Sequence, residues 1–131
     1  MIRVLLVDDI ADTRRALAQM LRYADGIDVV GEAADGLAAL AGQQSVHADV
    51  VVMDIRMPRM DGIEATARLL AADSTLKVLV LTTFDLDEYA FGALAAGASG
   101  FLLKDATPQQ LVDAVRAVAA GDAVLTPRIT R

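Results

Sequence analysis

Val50-Val51-Val52-Met53-Asp54 is an unbroken apolar run that stops at a carboxylate. Three successive β-branched residues favour an extended chain, and a run without polar alternation fits a strand buried on both faces. Working outward, four further short runs of this kind lie at Ile2–Val7, Val29–Glu32, Val78–Leu81 and Ser99–Leu103. The stretches between them carry apolar residues at helical spacing. Leu17, Met20 and Leu21 share one face of the first, and Leu111, Val115 and Val118 one face of the last. Asp12 and Asp85 stand where N-caps are expected, Thr107-Pro108 reads as a cap with a first-turn proline, and Gly97 and Gly121 fit helix C-termini. Strict alternation of five strands and five helices predicts an α/β fold with a doubly wound, five-stranded parallel sheet. Its ligands belong at the carboxyl ends of the strands.

The chain has 131 residues, enough for one domain with its own core. Residues 1–121 are expected to form that domain, and 122–131 to begin a C-terminal linker. Cysteine is absent, which removes disulfides and thiolate chemistry. Hydrophobic residues make up 55% but aromatics only 4%; the excess is alanine and fits helices rather than a membrane span. The uncharged run Tyr89–Leu103 is interrupted by Gly92, Gly97 and Gly100 and falls short of the roughly 20 residues that cross a bilayer. Met1–Val7 meets Asp8-Asp9 too soon for a secretory leader. A net charge of −6 makes the chain a poor nucleic-acid binder by itself, and a cytoplasmic location is expected.

The residues that end the strands carry the chemical information. Asp8-Asp9 ends the first, Asp54 the third, Thr82-Thr83 the fourth, and Lys104 follows Phe101 in the fifth. In a parallel sheet these ends share one rim. A single aspartate after a strand is ordinarily a cap or a solvated turn. Three together repel one another unless a cation joins them. Mg²⁺ suits the set, because it takes carboxylate and carbonyl oxygens and keeps waters that a phosphate oxygen can replace. A metal, a lysine and a hydroxyl around one carboxylate meet the needs of phosphoryl transfer, and an aspartate can itself become the phosphorylated nucleophile. Asp54, at the end of the most apolar strand, is the best candidate.

Four motifs in order, Val7-Asp8-Asp9, Met53-Asp54-Ile55-Arg56-Met57-Pro58-Arg59-Met60-Asp61-Gly62, Leu81-Thr82-Thr83 and Gly97–Asp105, resemble the receiver domain of two-component response regulators. The later motifs are similar to the NarL/FixJ subgroup, whose members usually carry a LuxR-type helix-turn-helix domain. The resemblance covers about residues 2–120. It implies a (βα)5 flavodoxin-like fold and makes Asp54 the phosphoacceptor for a sensor histidine kinase. Asp9 would ligate Mg²⁺, Asp8 would hold it largely through water, and the Arg56 carbonyl would add an oxygen. Lys104 would pair with phosphoryl oxygens, and Thr82 would be the switch hydroxyl. Phe101 would be the switch aromatic, turning inward as Thr82 moves and, having no hydroxyl, acting through packing alone. A homodimer is expected through the helix 4–strand 5–helix 5 or helix 1–helix 5 faces, the former offering the apolar stretch Phe91–Ala96. Arg56 and Phe84 are expected to flank an attacking water and make self-dephosphorylation slow. The subgroup points to a parent protein that regulates transcription through a DNA-binding domain outside this chain.

Other readings fit less well. A haloacid-dehalogenase-like phosphatase requires Asp-x-Asp after its nucleophile's strand, whereas Ile55-Arg56 follow Asp54 and Ile10 follows Asp8-Asp9. A flavodoxin-like cofactor module needs a Gly-, Ser- or Thr-rich phosphate loop where this chain has acids. A stand-alone or phosphorylation-independent receiver acting by protein–protein contact remains open. His47 reads as a loop residue before the third strand, Asp61-Gly62 as a turn and helix start, and Arg128 and Arg131 as solvated tail charges.

Overall fold

The structure, a computed structural model, describes residues 1–55, 57, 60–82 and 88–124, with 88–91 described in their backbone alone. Strands and helices alternate: β1 Ile2–Val7, α1 Ala11–Arg22, β2 Ile27–Ala33, α2 Gly36–Val46, β3 Val50–Asp54, α3 Gly62–Ala72, β4 Lys77–Thr82, α4 Glu88–Ala95, β5 Gly100–Leu103 and α5 Pro108–Ala119. The sheet is entirely parallel in the order β2-β1-β3-β4-β5, the expected doubly wound architecture. Among the described residues no helix is long and apolar enough to cross a membrane.

Side chains alternate along each strand and so divide the core in two. Leu5, Val7, Val51, Met53, Val78, Val80 and Phe101 enter one cluster, with Ala39 of α2, Ala65 and Leu69 of α3 and Ala93 of α4. Val4, Leu6, Val50, Val52, Leu79, Leu81 and Leu102 enter the other, with Ala18 and Leu21 of α1 and Leu111, Val115 and Val118 of α5. All five β3 residues are buried, which explains why its sequence shows no polar alternation. By contrast β2 lies at an edge, alternates, and carries a register shift opposite Val4/Leu5. It begins at Ile27, earlier than the apolar run at Val29 implied, because Asp28 takes an exposed position beside the buried Ile27.

Helix ends partly follow the expected punctuation. Thr107 and Gln110 form a reciprocal capping box ahead of Pro108. Asp35 and Asp61 cap α2 and α3, the latter confirming a helix start at Asp61-Gly62. Gly97 and Gly121 have φ of +105° and +95°, as helix-ending glycines require. Asp12, however, is not an N-cap. Ile10 holds that position, and Asp12 lies in the first turn of α1. The cause is Asp8, whose Oδ1 accepts the Ile10 N–H at 2.9 Å and starts the turn earlier. Asp85 lies outside the described residues. His47 ends α2 at φ 50°, consistent with a loop residue before β3.

Removing a true cap should cost more than removing Asp12. Thr107→Ala should lower stability by about 1 kcal/mol, and Asp12→Ala should shift it by no more than about 0.3 kcal/mol. Urea unfolding of the two variants checks this; equal losses would contradict the assignment.

Candidate functional site

Strand register builds the site. Val7 pairs with Met53 across β1 and β3, so Asp8 and Asp54 lie one step further along neighbouring strands. Asp54 pairs with Leu81 of β4, and Leu103 of β5 with Thr82. Thr82 thus ends β4 and Lys104 follows β5 on the same rim, joined where the Lys104 N–H donates to the Thr82 carbonyl at 2.8 Å. The structure therefore brings Asp8, Asp9, Asp54, Thr82 and Lys104 to the carboxyl ends of the strands, as the sequence implied.

Carboxylate oxygens of Asp8, Asp9 and Asp54 all lie within 4.8 Å of one another. Asp8 and Asp54 are buried and Asp9 is exposed. The Lys104 ammonium sits 3.2 Å from Asp54 Oδ1 and 3.5 Å from Asp8 Oδ2. Among the described residues one ammonium faces three carboxylates, an imbalance of the sign that a divalent cation would offset. Asp8 Oδ2 is buried and accepts no hydrogen bond among the described residues, a costly state unless a ligand is meant for it. Hard oxygen donors, the excess of negative charge among the described residues, and an Asp8 oxygen that Lys104 approaches at 3.5 Å without a hydrogen bond together fit Mg²⁺. Thr82 is wholly buried, and so is Phe101 in the α2–α3–α4 cluster. Phe101 thus already occupies the inward position here. Arg56, expected to lend a carbonyl, and Phe84, expected beside it, lie outside the described residues.

Two positioning residues had no role in the sequence reading. Arg14 donates to the Asp8 carbonyl at 2.7 Å and pairs with Glu32 at 3.2 Å, anchoring the loop that carries Asp8 and Asp9. Nothing in the pair Arg14-Arg15 distinguishes it from the exposed Arg15. Gly62, read only as part of a helix start, lets α3 press on the end of β3. A Cβ there would stand 2.4 Å from the Asp54 carbonyl oxygen and 2.7 Å from Ile55 Cα. Only glycine fits, and its N–H donates to the Ile55 carbonyl at 2.9 Å. The expected α4 surface is smaller than its composition implied: Ala93 is buried, Gly92, Leu94 and Ala96 are half-buried, and Ala95 is exposed.

An acidic triad with a lysine on the rim of a 2-1-3-4-5 sheet is specific enough to compare with known proteins. Residues 4–116 match the response regulator receiver domain. The chain belongs to the response regulator receiver family. YxjL, an uncharacterized transcriptional regulatory protein of Bacillus subtilis strain 168, is 42% identical over 94% of this chain and 56% of its own length. The response regulator GacA of Pseudomonas viridiflava is 39% identical over 100% of this chain and 61% of its own. This chain therefore spans rather more than half the length of these relatives. Among solved structures, a LuxR-family two-component response regulator from Aurantimonas sp. SI85-9A1 superposes with a TM-score of 0.92 at 35% identity, covering 98% of this chain and 91% of that one. The signal receiver domain of NarL from Mycobacterium tuberculosis gives a TM-score of 0.87 at 38% identity, over 92% and 97%. The similarity to the NarL/LuxR subgroup expected from the later motifs is thus borne out.

Among the described residues of this receiver, backbone geometry and Lys104 hold the three carboxylates together against their repulsion. Asp54→Asn removes one of the charges and should raise metal-free stability, by roughly 1 kcal/mol. Thermal unfolding in chelator checks it; a lower midpoint would mean that the Lys104–Asp54 pair outweighs the repulsion.

Proposed function

We propose that the chain is a phosphorylation-dependent signalling switch in which Asp54 accepts a phosphoryl group from a sensor histidine kinase in the presence of Mg²⁺. The observation that carries this reading is the Lys104 ammonium placed 3.2 Å from a buried Asp54 carboxylate beside two further carboxylates. Asp8, Asp9 and Asp54, with the Arg56 carbonyl, are the residues to hold the ion. Bound there, Mg²⁺ would neutralise charge on the phosphoryl oxygens.

The remaining work falls to the chain itself. An Asp54 oxygen attacks phosphorus as the bond from phosphorus to the donor's imidazole nitrogen breaks, and that nitrogen retains the bonding electron pair. Lys104 balances charge on the transferred oxygens, which is positioning and electrostatics more than covalent chemistry. The product carries more negative charge and new acceptor oxygens, which favours arrangements that aim Thr82 and Lys104 at Asp54. Phe101 then responds through packing. As it is already inward in this structure, phosphorylation would retain or tighten that position. Reversal requires water to attack the acyl phosphate, and Arg56 and Phe84 are the residues proposed to slow it.

In the full-length protein the switch is proposed to control a C-terminal helix-turn-helix domain. The transcriptional regulatory name of YxjL and the LuxR-family match support this. Residues 122–131 would begin the connection. A cytoplasmic location and a homodimer through the α4–β5–α5 or α1–α5 faces complete the proposal.

Incubation with Mg²⁺ and phosphoramidate, read by intact mass, tests the central step. Wild type should gain one phosphoryl group; Asp54→Ala, and wild type with chelator, should gain none. A gain in Asp54→Ala would place the acceptor elsewhere.

A further inference from the structure

The chain leaving α5 does not simply depart. Gly121 at φ +95° donates its N–H to the Val118 carbonyl, and Asp122 donates to Ala117, each at 3.0 Å. This paired arrangement reverses the chain at the helix end and sends it back along the outer side of β5. There Val124 forms an isolated parallel bridge with Gly100. Its N–H donates to the Ser99 carbonyl at 3.2 Å, and its carbonyl accepts the Phe101 N–H at 2.9 Å. The Val124 side chain packs against the α1–α5 core.

That contact is closely fitted. A Cβ on Gly100 would lie 2.3 Å from the Val124 oxygen and 2.7 Å from its nitrogen, so only glycine allows the two backbones to meet. As the terminal strand, β5 has an outer edge that would otherwise present unpaired backbone groups. The residue whose N–H is taken up there is Phe101, whose ring is wholly buried on the other side of the sheet. Three residues further on, Lys104 reaches Asp54. One four-residue strand therefore links the contact with the chain past α5, the buried aromatic and the lysine of the site.

We propose that residues 122–124 are a strap that pins β5 and the inward Phe101 in the present arrangement and is held more tightly when the site is phosphorylated, so that the chain beyond Val124 is mechanically tied to the site. The phosphorylation half of this rests on the reading of Asp54 as phosphoacceptor; the pinning half does not.

Amide hydrogen exchange followed by NMR separates the two. Val124→Pro removes the N–H given to Ser99 without touching β5, and Gly100→Ala obstructs the contact from the other side. In both, exchange at the Phe101 amide should rise about tenfold or more relative to Val51 in β3, whose exchange reports global opening. An unchanged ratio in both variants would overturn the strap. In wild type treated with Mg²⁺ and phosphoramidate, with phosphoryl gain verified by mass, the same ratio should fall by about tenfold. Phosphoryl gain with an unchanged or higher ratio would overturn the coupling. Absence of phosphoryl gain, with both variants still exchanging faster, would overturn the phosphoacceptor reading and the coupling while supporting the pinning.

Discussion

Among the described residues three carboxylates share one rim with one ammonium, and much of the site's behaviour follows from that imbalance. Like charges whose oxygens lie within 4.8 Å repel, so the arrangement depends on the sheet as well as on Lys104 to hold it. Hydrogen bonds of β1 and β3 fix the neighbouring positions of Asp8 and Asp54. Arg14 holds the Asp8 carbonyl, and Gly62 allows α3 to bear on the Asp54 peptide. Stability is given up to hold together a cluster that, on the function proposed above, a cation and a phosphoryl group complete.

Burial increases the effect. Asp8 and Asp54 are nearly inaccessible, whereas Asp9 is open to solvent. On the function proposed above, an ion would enter past Asp9 and be held against the two buried groups, where lower local dielectric strengthens every charge interaction. Lys104 is partly exposed and directly follows the short edge strand β5, which sets its ammonium 3.2 Å from Asp54. The same strand carries Phe101, so the ammonium beside Asp54 and the packing on the α4 side of the sheet lie only a few residues apart along the chain.

Much of this was legible in the sequence because the decisive signals are local. The apolar, β-branched run 50–53 favours a strand covered on both faces, and the residue after such a strand reaches the rim. Five such runs in alternation leave little topological choice. Thr107-Pro108 and Gly121 announced their helix ends through chemistry that acts within a few residues. What the sequence hid was non-local. Asp12 looked like a cap because the competing acceptor, Asp8, serves a turn whose geometry appears only once β1 is placed. Arg14 is indistinguishable from Arg15 until the fold brings Glu32 and the Asp8 carbonyl beside it. The small, apolar composition of 91–96 gave no sign of which residues α3 would cover; Ile63 of that helix packs so near Gly92 that a Cβ there would stand 2.9 Å from its Cδ1. Val124 looked like linker because a one-residue bridge has no periodicity to read.

The most direct test is calorimetric titration of the metal-free protein with Mg²⁺, beside the double variant Asp8→Asn/Asp9→Asn. One ion per chain in wild type, with affinity reduced about tenfold or more in the variant, is the expected result. Failure of wild type to bind Mg²⁺, or equal binding by the variant, would contradict the claim that the carboxylate cluster exists to hold a cation for phosphoryl transfer.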